Sequence, residues 1–300
     1  MKEIRLKARA KINLTLDVTG KREDGYHLLE TIMQTVQLYD GIYMKKLDKP
    51  EIKLKTNLPW LPVDERNLAW KAANLMRETY VIEGGVFIEI DKRIPVAAGL
   101  AGGSTDCAAV LVGMNRLYDL RLSETELEEL AGRLGSDIPY CVRRGTVLCE
   151  GVGEIMPNVE HPCPECYVVL AKLPVSVSTV SVYKGLKWDQ VEEHPDTQAM
   201  LDAMAEGDVA KMGRLLCNVL ETVTIEMHPK IAEIKTRLME LGAEGALMSG
   251  SGPTVFALFK DREKARKAAA LVKREFALKD SVATKTYRVQ RELRGEKRNG

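Results

Sequence analysis

The chain has 300 residues, of which 45% are hydrophobic and 29% charged, proportions that exclude wholesale disorder. Lys and Arg total 44 against 43 Asp and Glu, and the net charge of +1 argues against a nucleic-acid binder, which carries a strong basic excess. No apolar run reaches the ~18 residues that span a bilayer, and the charged N-terminus shows no secretory signal, so we expect a cytoplasmic protein without a membrane partner.

The first part of the chain mixes extended and helical patterns. Apolar residues occupy every even position from Ile4 to Val18, which predicts one or two strands with one buried face. The elements that follow are a turn at 19–25, extended segments at 28–38 and near 52–54, a helix over 67–80 and a strand over 86–94.

A glycine-rich segment, Pro95-Val-Ala-Ala-Gly-Leu-Ala-Gly-Gly-Ser-Thr-Asp106, leads into an apolar helix over 107–117. Such glycines let backbone N–H groups approach a ligand, and the unpaired N–H groups of the next helix favour phosphate. The segment is neither a P-loop, since no lysine follows its last glycine, nor a GxGxxG fingerprint. A tight turn would explain one or two of the glycines, but it explains three glycines with Ser104 and Thr105 poorly.

A capping box at Ser123 and Glu126 predicts a second helix, which Gly135 is placed to end. Asp137 follows and, taken alone, is expected to cap a helix that starts at Ile-Pro. Lys11, taken alone, is expected to be a solvated lysine on the polar side of its strand. A further strand is predicted over 147–152.

The proline-rich stretch 157–164 is the best candidate for a domain boundary. It contains His161 and Cys163, and Cys166 follows two residues after it, but structural zinc takes four ligands, so we predict a connector and no metal site. All six cysteines are expected to be reduced. The predicted domains are 1–160 and 161–290, followed by a polar tail over 291–300.

The second part of the chain predicts a sheet covered by helices on one side. Its elements are a strand over 167–172, helices near 197–206, 208–222 and 228–241, strands over 246–248 and 254–259, a helix over 261–275 and a last strand near 282–289. This order is typical of an antiparallel open-faced sandwich. The loop Ser249-Gly-Ser-Gly-Pro253 is equally consistent with a hairpin, but two glycine loops in different domains favour a ligand between them.

Four segments together resemble the motifs of the GHMP kinase superfamily, over about residues 7–259. They are Ala8-Arg-Ala-Lys-Ile-Asn-Leu14 with Arg22-Glu-Asp-Gly-Tyr-His27, the loop from Pro95 to Asp106, Leu134-Gly-Ser-Asp-Ile-Pro139 with Glu150-Gly-Val-Gly-Glu154, and Met248-Ser-Gly-Ser-Gly-Pro-Thr254. The resemblance implies an α+β, two-domain GHMP kinase fold, with a ribosomal-protein-like N-terminal domain and a ferredoxin-like C-terminal domain.

The resemblance also implies an activity, the ATP-dependent phosphorylation of the 2-hydroxyl of a cytidyl diphosphate sugar alcohol, with ATP and Mg2+. The pairing of the two parts of the first motif resembles kinases of this small-molecule substrate rather than kinases of homoserine or mevalonate, which stay the alternative. A monomer or weak homodimer is expected. An RNA-binding module is a further alternative, because the N-terminal domain resembles a ribosomal-protein fold, but the balanced charge disfavours it.

Roles for single residues are implied by the same resemblance. Asp137 is the general base for the substrate hydroxyl, and Lys11 favours its ionised form and stabilises the attacking oxygen and γ-phosphate. The residues expected to bind ATP are Pro95, Val96, Ala97, Ala98, Gly99, Leu100, Ala101, Gly102, Gly103, Ser104 and Thr105, with Ser104 also a contact for Mg2+. The residues expected to bind the alcohol are Asn13, Tyr26, His27, Thr179, Tyr183, Gly250, Ser251 and Gly252.

Two further points concern the aromatic residues expected around the cytosine and the alanines of the glycine-rich loop. His27 is expected to read the edge of the cytosine, while Tyr26 and Tyr183 stack on it, because a neutral base favours π faces and directional hydrogen bonds. Ala97, Ala98 and Ala101 occupy loop positions at some of which the family usually has glycine, and a positive φ at an alanine would be costly.

Overall fold

The computed structural model describes residues 1–289 in two sheets and the helices that cover them. The N-terminal half contains β1 (Glu3–Lys21), β2 (His27–Leu47), β3 (Ile52–Thr56), α1 (Leu68–Thr79), β4 (Gly85–Asp91), α2 (Gly102–Leu117), α3 (Glu124–Gly132), α4 (Ile138–Arg143) and β5 (Thr146–Gly151). The C-terminal half contains β6 (Tyr167–Lys172), α5 (Thr179–Gly185), a 3-10 turn (Trp188–Gln190), α6 (Thr197–Glu206), α7 (Val209–Arg214), β7 (Cys217–Asn218), α8 (Glu221–Met227), α9 (Lys230–Glu240), β8 (Gly245–Met248), β9 (Thr254–Phe259), α10 (Arg262–Glu275) and β10 (Asp280–Lys285).

The first sheet is built on a long antiparallel pair, β1 and β2. Its strand order is β3-β4-β2-β1-β7, and β5 pairs with the first part of β2. The predicted extended segment over 28–38 continues without interruption to Leu47, because β2 pairs with β1 over almost its whole length. Helix α2 is buried beneath this sheet, as its apolar sequence predicts.

The second sheet has the strand order β10-β6-β9-β8, and every neighbouring pair is antiparallel. With α9 and α10 packed on it, this is the open-faced sandwich predicted from the order of the elements and the ferredoxin-like domain that the resemblance implies. Within residues 1–289, none of the helices combines the length and apolarity needed to cross a membrane.

Three elements of the C-terminal half differ from the sequence-based prediction. The helix predicted over 208–222 is wrong: it is divided into α7, β7 and α8, because Cys217 and Asn218 pair with β1. Helix α5 was not predicted, and the last strand ends at Lys285 rather than near residue 289. The predicted tail over 291–300 lies outside the described residues.

Strand β1 takes part in more than one hydrophobic core. Ile4, Leu6 and Ala8 pack in the cluster beneath α2, whereas the next even positions, from Ala10 to Leu14, pack with β6 and β9 in another cluster. The change occurs at a register shift in the pairing with β2, between Arg9 and Lys11. Both faces of β1 are therefore covered from Ala10 to Val18, and the expectation of a solvated Lys11 is wrong.

Candidate active site

A cavity of about 1100 Å³ lies between the two halves of the chain. It is lined by residues from every segment that the sequence singled out as chemical: Lys11, Asn13, Tyr26, His27, Ala97, Ala98, Gly99, Ala101, Gly102, Gly103, Ser104, Asp137, Thr179, Tyr183, Gly250, Ser251 and Gly252. Residues far apart in sequence thus meet at one place, which is the arrangement that a two-substrate site requires.

The glycine-rich loop turns directly into α2. Ala101 is the N-cap of α2 with φ 56° and makes no side-chain cap hydrogen bond, and Ala97 has φ 51°. The two alanines therefore do adopt the left-handed backbone, at a cost of roughly 1–2 kcal/mol each. Because no side chain caps the helix, its first N–H groups are left for a ligand in the cavity.

Four of the loop residues that were predicted to bind ATP do not line the cavity. Leu100 is buried in the core, and with Pro95 it borders a separate crevice of about 30 Å³. Thr105 is also buried, and its hydroxyl donates to the carbonyl oxygen of Arg9 over 2.8 Å. Val96, which lies between Pro95 and Leu100 in the chain, is also absent from the cavity wall. Direct contact of these four with ATP stays a prediction.

Lys11 is only 5% exposed, and a chain of hydrogen bonds orients it. Its ammonium donates to Asn13 Oδ1 over 2.7 Å, and Asn13 Nδ2 donates to Thr31 Oγ1 over 2.9 Å. The backbone N–H of Lys11 donates to the carbonyl oxygen of Leu100 over 3.2 Å. The phosphate loop and the strand that carries Lys11 are thereby joined.

Asp137 occupies the N-cap position of α4, as expected, but its side chain makes no capping hydrogen bond. Its carboxylate is left available at the cavity. Burial, with a smaller contribution from the charge of Asp137, raises the pKa of Cys149 to about 12, whereas the charge of Lys11 acts to lower it. Burial likewise raises the pKa of Cys141, with opposite effects from Asp137 and Lys11. The two charged groups therefore lie near the same pair of buried thiols.

Another part of the cavity wall is aromatic. The rings of His27 and Tyr183 are 5.2 Å apart at an angle of 34°, whereas Tyr26 is 65% exposed at the rim. Loss of solvation lowers the pKa of His27 below 6.5, and the charge of Lys21 lowers it further. Burial raises the pKa of Tyr183, with a smaller contribution from Asp137.

The second glycine loop closes the cavity from the C-terminal half. Thr179 Oγ1 and Ser251 Oγ are hydrogen-bonded at 2.8 Å, and the Ser249 hydroxyl donates to the carbonyl oxygen of Gly99 over 3.0 Å. A Cβ built on Gly250 would lie 3.5 Å from Lys11 Nζ. The two glycine loops are thus hydrogen-bonded to each other, and Lys11 lies next to both of them.

Three lysines on the cavity wall were not predicted from the sequence: Lys21, Lys184 and Lys187. Lys184 and Lys187 belong to or follow α5, a helix of seven residues. The sequence does contain a signal for this helix, because serine is a preferred N-cap residue. In the structure Ser178 is the N-cap, and its hydroxyl accepts a hydrogen bond from the N–H of Ser181. The lysines could have been placed only after that helix was recognised.

A buried ion cluster beneath the phosphate loop was also missed. The Lys92 ammonium donates to carboxylates of Asp40 and Asp106, and it would lie 3.3 Å from a Cβ built on Gly102. Burial alone would lower the pKa of Lys92, but the charges of Asp106 and Asp40 outweigh it and raise the pKa. Lys92 therefore stays charged and ties β2 and the end of β4 to the first turns of α2.

Metal binding by protein groups alone has no support in the described part of the chain. Among residues 1–289, no three His, Cys, Asp or Glu side chains are grouped so that they could hold a metal ion. The cavity does offer the Ser104 hydroxyl and the Asp137 carboxylate. This partial set of oxygen donors fits Mg2+, which binds one or two carboxylates together with substrate phosphates.

Comparison with known families finds two matches. Residues 67–145 match the model for the GHMP kinases N terminal domain, and residues 200–278 match the model for the GHMP kinases C terminal domain. The first match includes the phosphate loop and Asp137, and the second includes the loop at Gly250 to Gly252.

Individual relatives cover almost the whole chain. A protein of Lachnoclostridium phytofermentans named 4-diphosphocytidyl-2-C-methyl-D-erythritol kinase is 50% identical over 265 residues, which are 88% of this chain and 91% of the relative. A crystal structure of 4-(cytidine 5'-diphospho)-2C-methyl-D-erythritol kinase has a TM-score of 0.80 at 32% identity and covers 94% of this chain and 99% of its own. Homoserine kinase from Cytophaga hutchinsonii has a TM-score of 0.74 at 20% identity, covering 96% and 95%, and shares the fold.

Proposed function

This chain belongs to the GHMP kinase family, and we propose that it transfers the γ-phosphoryl group of ATP to the 2-hydroxyl of 4-diphosphocytidyl-2-C-methyl-D-erythritol. The products are the 2-phosphate and ADP, in the non-mevalonate route to isoprenoid precursors. The observation that supports this function most strongly is one cavity that joins a glycine-built anion site, the Lys11 and Asp137 charges and an aromatic end. Relatives that bear the name of this kinase cover nearly the full chain.

The chemistry follows from the two charged groups at the phosphate end. The 2-hydroxyl oxygen attacks the γ-phosphorus, its proton passes to the Asp137 carboxylate, and the bond from the γ-phosphorus to the oxygen of the leaving ADP breaks. The loose transition state of phosphoryl transfer needs little early proton removal, so a carboxylate is a sufficient base. Lys11, oriented by Asn13, stabilises negative charge on the attacking oxygen and the γ-phosphoryl group.

Phosphate binding relies on the backbone. The uncapped N-terminus of α2 presents N–H groups and the positive end of the helix dipole to the ATP phosphates. Mg2+, when bound with ATP, would be held by the Ser104 hydroxyl and the phosphates and would neutralise part of their charge. The net charge of +1 provides no general basic field, so local groups must supply the attraction.

The remaining part of the cavity suits a nucleoside diphosphate. His27 and Tyr183 form one aromatic surface for the cytosine, and Tyr26 at the rim could cover it from outside. Lys21, Lys184 and Lys187 place three cations on the wall for a substrate that carries a diphosphate. We place the reaction in the cytoplasm, in a monomer or weak homodimer that needs no nucleic-acid or membrane partner.

The decisive experiment compares alcohol substrates with purified full-length protein, ATP and Mg2+. We expect kcat/KM for the cytidyl substrate to exceed the values for homoserine and mevalonate by at least ~1,000-fold, because buried polar groups that lose their partners discriminate strongly. The measurement is ADP release coupled to a chromatographic assay of the phosphorylated product. Preferred phosphorylation of homoserine or mevalonate would replace the proposal by the alternative.

The lowered pKa of His27 predicts a pH dependence for alcohol binding. A histidine with a pKa below 6.5 is neutral at pH 7 and has one nitrogen that accepts a hydrogen bond. As the pH falls through that pKa, the acceptor is lost, so KM for the cytidyl substrate should rise while KM for ATP stays constant. His27→Gln should remove this dependence. His161→Gln, at the exposed connector, is the control and should keep the wild-type profile.

A further inference from the structure

Asn218 lies behind the second glycine loop, and both the nitrogen and the oxygen of its side-chain amide make hydrogen bonds there. It is 4% exposed, and its Nδ2 donates to the carbonyl oxygens of Met248 over 2.8 Å and Gly250 over 2.9 Å. Its Oδ1 accepts from the N–H of Leu220 over 3.0 Å. One side chain thereby holds the carbonyl groups on both sides of Ser249.

The same residue is attached to the strand that carries Lys11. Strand β7 runs parallel to β1, with Asn218 opposite Leu16, and the N–H of Val219 donates to the carbonyl oxygen of Leu16 over 3.0 Å. Glu221 adds a second support, because its Oε1 accepts from the N–H of Met248 over 2.7 Å. The position of the glycine loop relative to β1 is therefore set by groups around Asn218.

These contacts form a closed circuit, a ring of neighbouring groups, around the place where the phosphoryl group is expected to be transferred. The loop held by Asn218 places Gly250 against Lys11 and Asn13, and it places Ser249 against Gly99 of the phosphate loop. The phosphate loop in turn accepts from the N–H of Lys11 at Leu100. Asn218 itself is absent from the wall of this cavity and borders a separate depression of about 660 Å³.

From this circuit we propose that Asn218 is a positioning residue for the transfer, a role that rests on the proposed function. It fixes the loop over Gly250 to Gly252 against Lys11 and the phosphate loop without touching either substrate. Its loss moves the loop that is expected to contact the sugar alcohol, so the consequences appear in KM for the alcohol and in kcat rather than in stability alone.

The test uses Asn218→Asp, which keeps the shape and the acceptor for Leu220 but replaces the donors with an oxygen that faces two carbonyls. We expect KM for the cytidyl substrate to rise about tenfold and kcat to fall about 10- to 100-fold, since an unmatched buried polar contact costs more than a lost bond. KM for ATP should change less than threefold.

Asn115→Asp is the matched control, because the Asn115 amide both donates to and accepts from the backbone of Leu122, at 3.0 Å in each case, far from the cavity. It should lower Tm and leave both KM values unchanged. If Asn218→Asp does not fold, Asn218→Ser is used for the same comparison. Loss of activity in proportion to the unfolded fraction, with wild-type KM values, would overturn the positioning role.

Hydrogen exchange separates this inference from the proposed function. Backbone amides of residues 248–252 should exchange faster in Asn218→Asp than in the wild-type protein or in Asn115→Asp, whichever alcohol is the substrate. If the wild-type protein does not phosphorylate the cytidyl alcohol but the exchange differs, the proposed function fails and the positioning of the loop stands. Identical exchange in all three proteins would refute the inference.

Discussion

Asp137→Asn is expected to lower kcat by about 100- to 10,000-fold, the range that a positioned general base contributes. An amide cannot accept the proton of the substrate hydroxyl, and it removes the negative charge that shares the cavity wall with Lys11. Because the Asp137 side chain makes no capping hydrogen bond, the free energy of unfolding should change by no more than about 0.5 kcal/mol. Steady-state kinetics and thermal unfolding of the same preparation measure both quantities.

The control for this variant is Asp261→Asn, the same change at the N-cap of α10, far from the cavity. Asp261 accepts from the N–H of Lys264, and asparagine is an equally good N-cap, so both kcat and stability should be maintained. An Asp137→Asn enzyme that retains more than about a tenth of the wild-type kcat would show that Asp137 is not the general base.

Gly99→Ala is expected to damage both the activity and the fold. Gly99 has φ +73°, and a Cβ there would lie 2.1 Å from the carbonyl oxygen of Ser249, so one of the two glycine loops must move. Strain of the left-handed alanine and overpacking together should lower the free energy of unfolding by about 2–5 kcal/mol. A displacement near 1 Å at the reacting groups should lower kcat/KM by at least ~100-fold.

Gly207→Ala separates the backbone strain from the clash. Gly207 has a similar φ of +70° at the end of α6, but a Cβ there meets no atom within 4 Å. It should lose only the ~1–2 kcal/mol of left-handed strain and keep its kcat/KM. Equal kinetic losses in the two variants would show that contact between the loops is irrelevant to activity.

Local patterns were sufficient to predict most of the strands and helices. The alternation from Ile4 to Val18 predicted β1, and the capping box at Ser123 predicted α3, because these signals depend on near neighbours in the chain. The prediction of one helix over 208–222 was wrong because the signal that interrupts it comes from distant residues. Its interruption at Cys217 and Asn218 depends on pairing with Thr15 and Leu16, about 200 residues away, and no periodicity within the segment reveals this contact.

The candidate site shows the same limit. Its glycine loops and Asp137 were identified from motifs, and the structure brings them together with Lys11. The burial of Lys11 could not be predicted from its strand. The register shift between Arg9 and Lys11 turns the even positions towards β6 and β9, and it leaves Lys11 on the opposite face, at the cavity between the two glycine loops. Asn218 and Lys92 carry no motif, and their importance appears only when their hydrogen bonds are known.

The circuit that joins Lys11, Gly99 and Ser249 has a consequence for biosynthesis. Its parts leave the ribosome in the order of the chain, and the last of them follows more than four-fifths of the sequence. Contacts so distant in sequence form late in folding. A nascent chain that has not reached Ser249 therefore holds the phosphate loop without its partner. Phosphotransfer during translation should appear only after β9 and β10, which complete the second sheet, have also been synthesised.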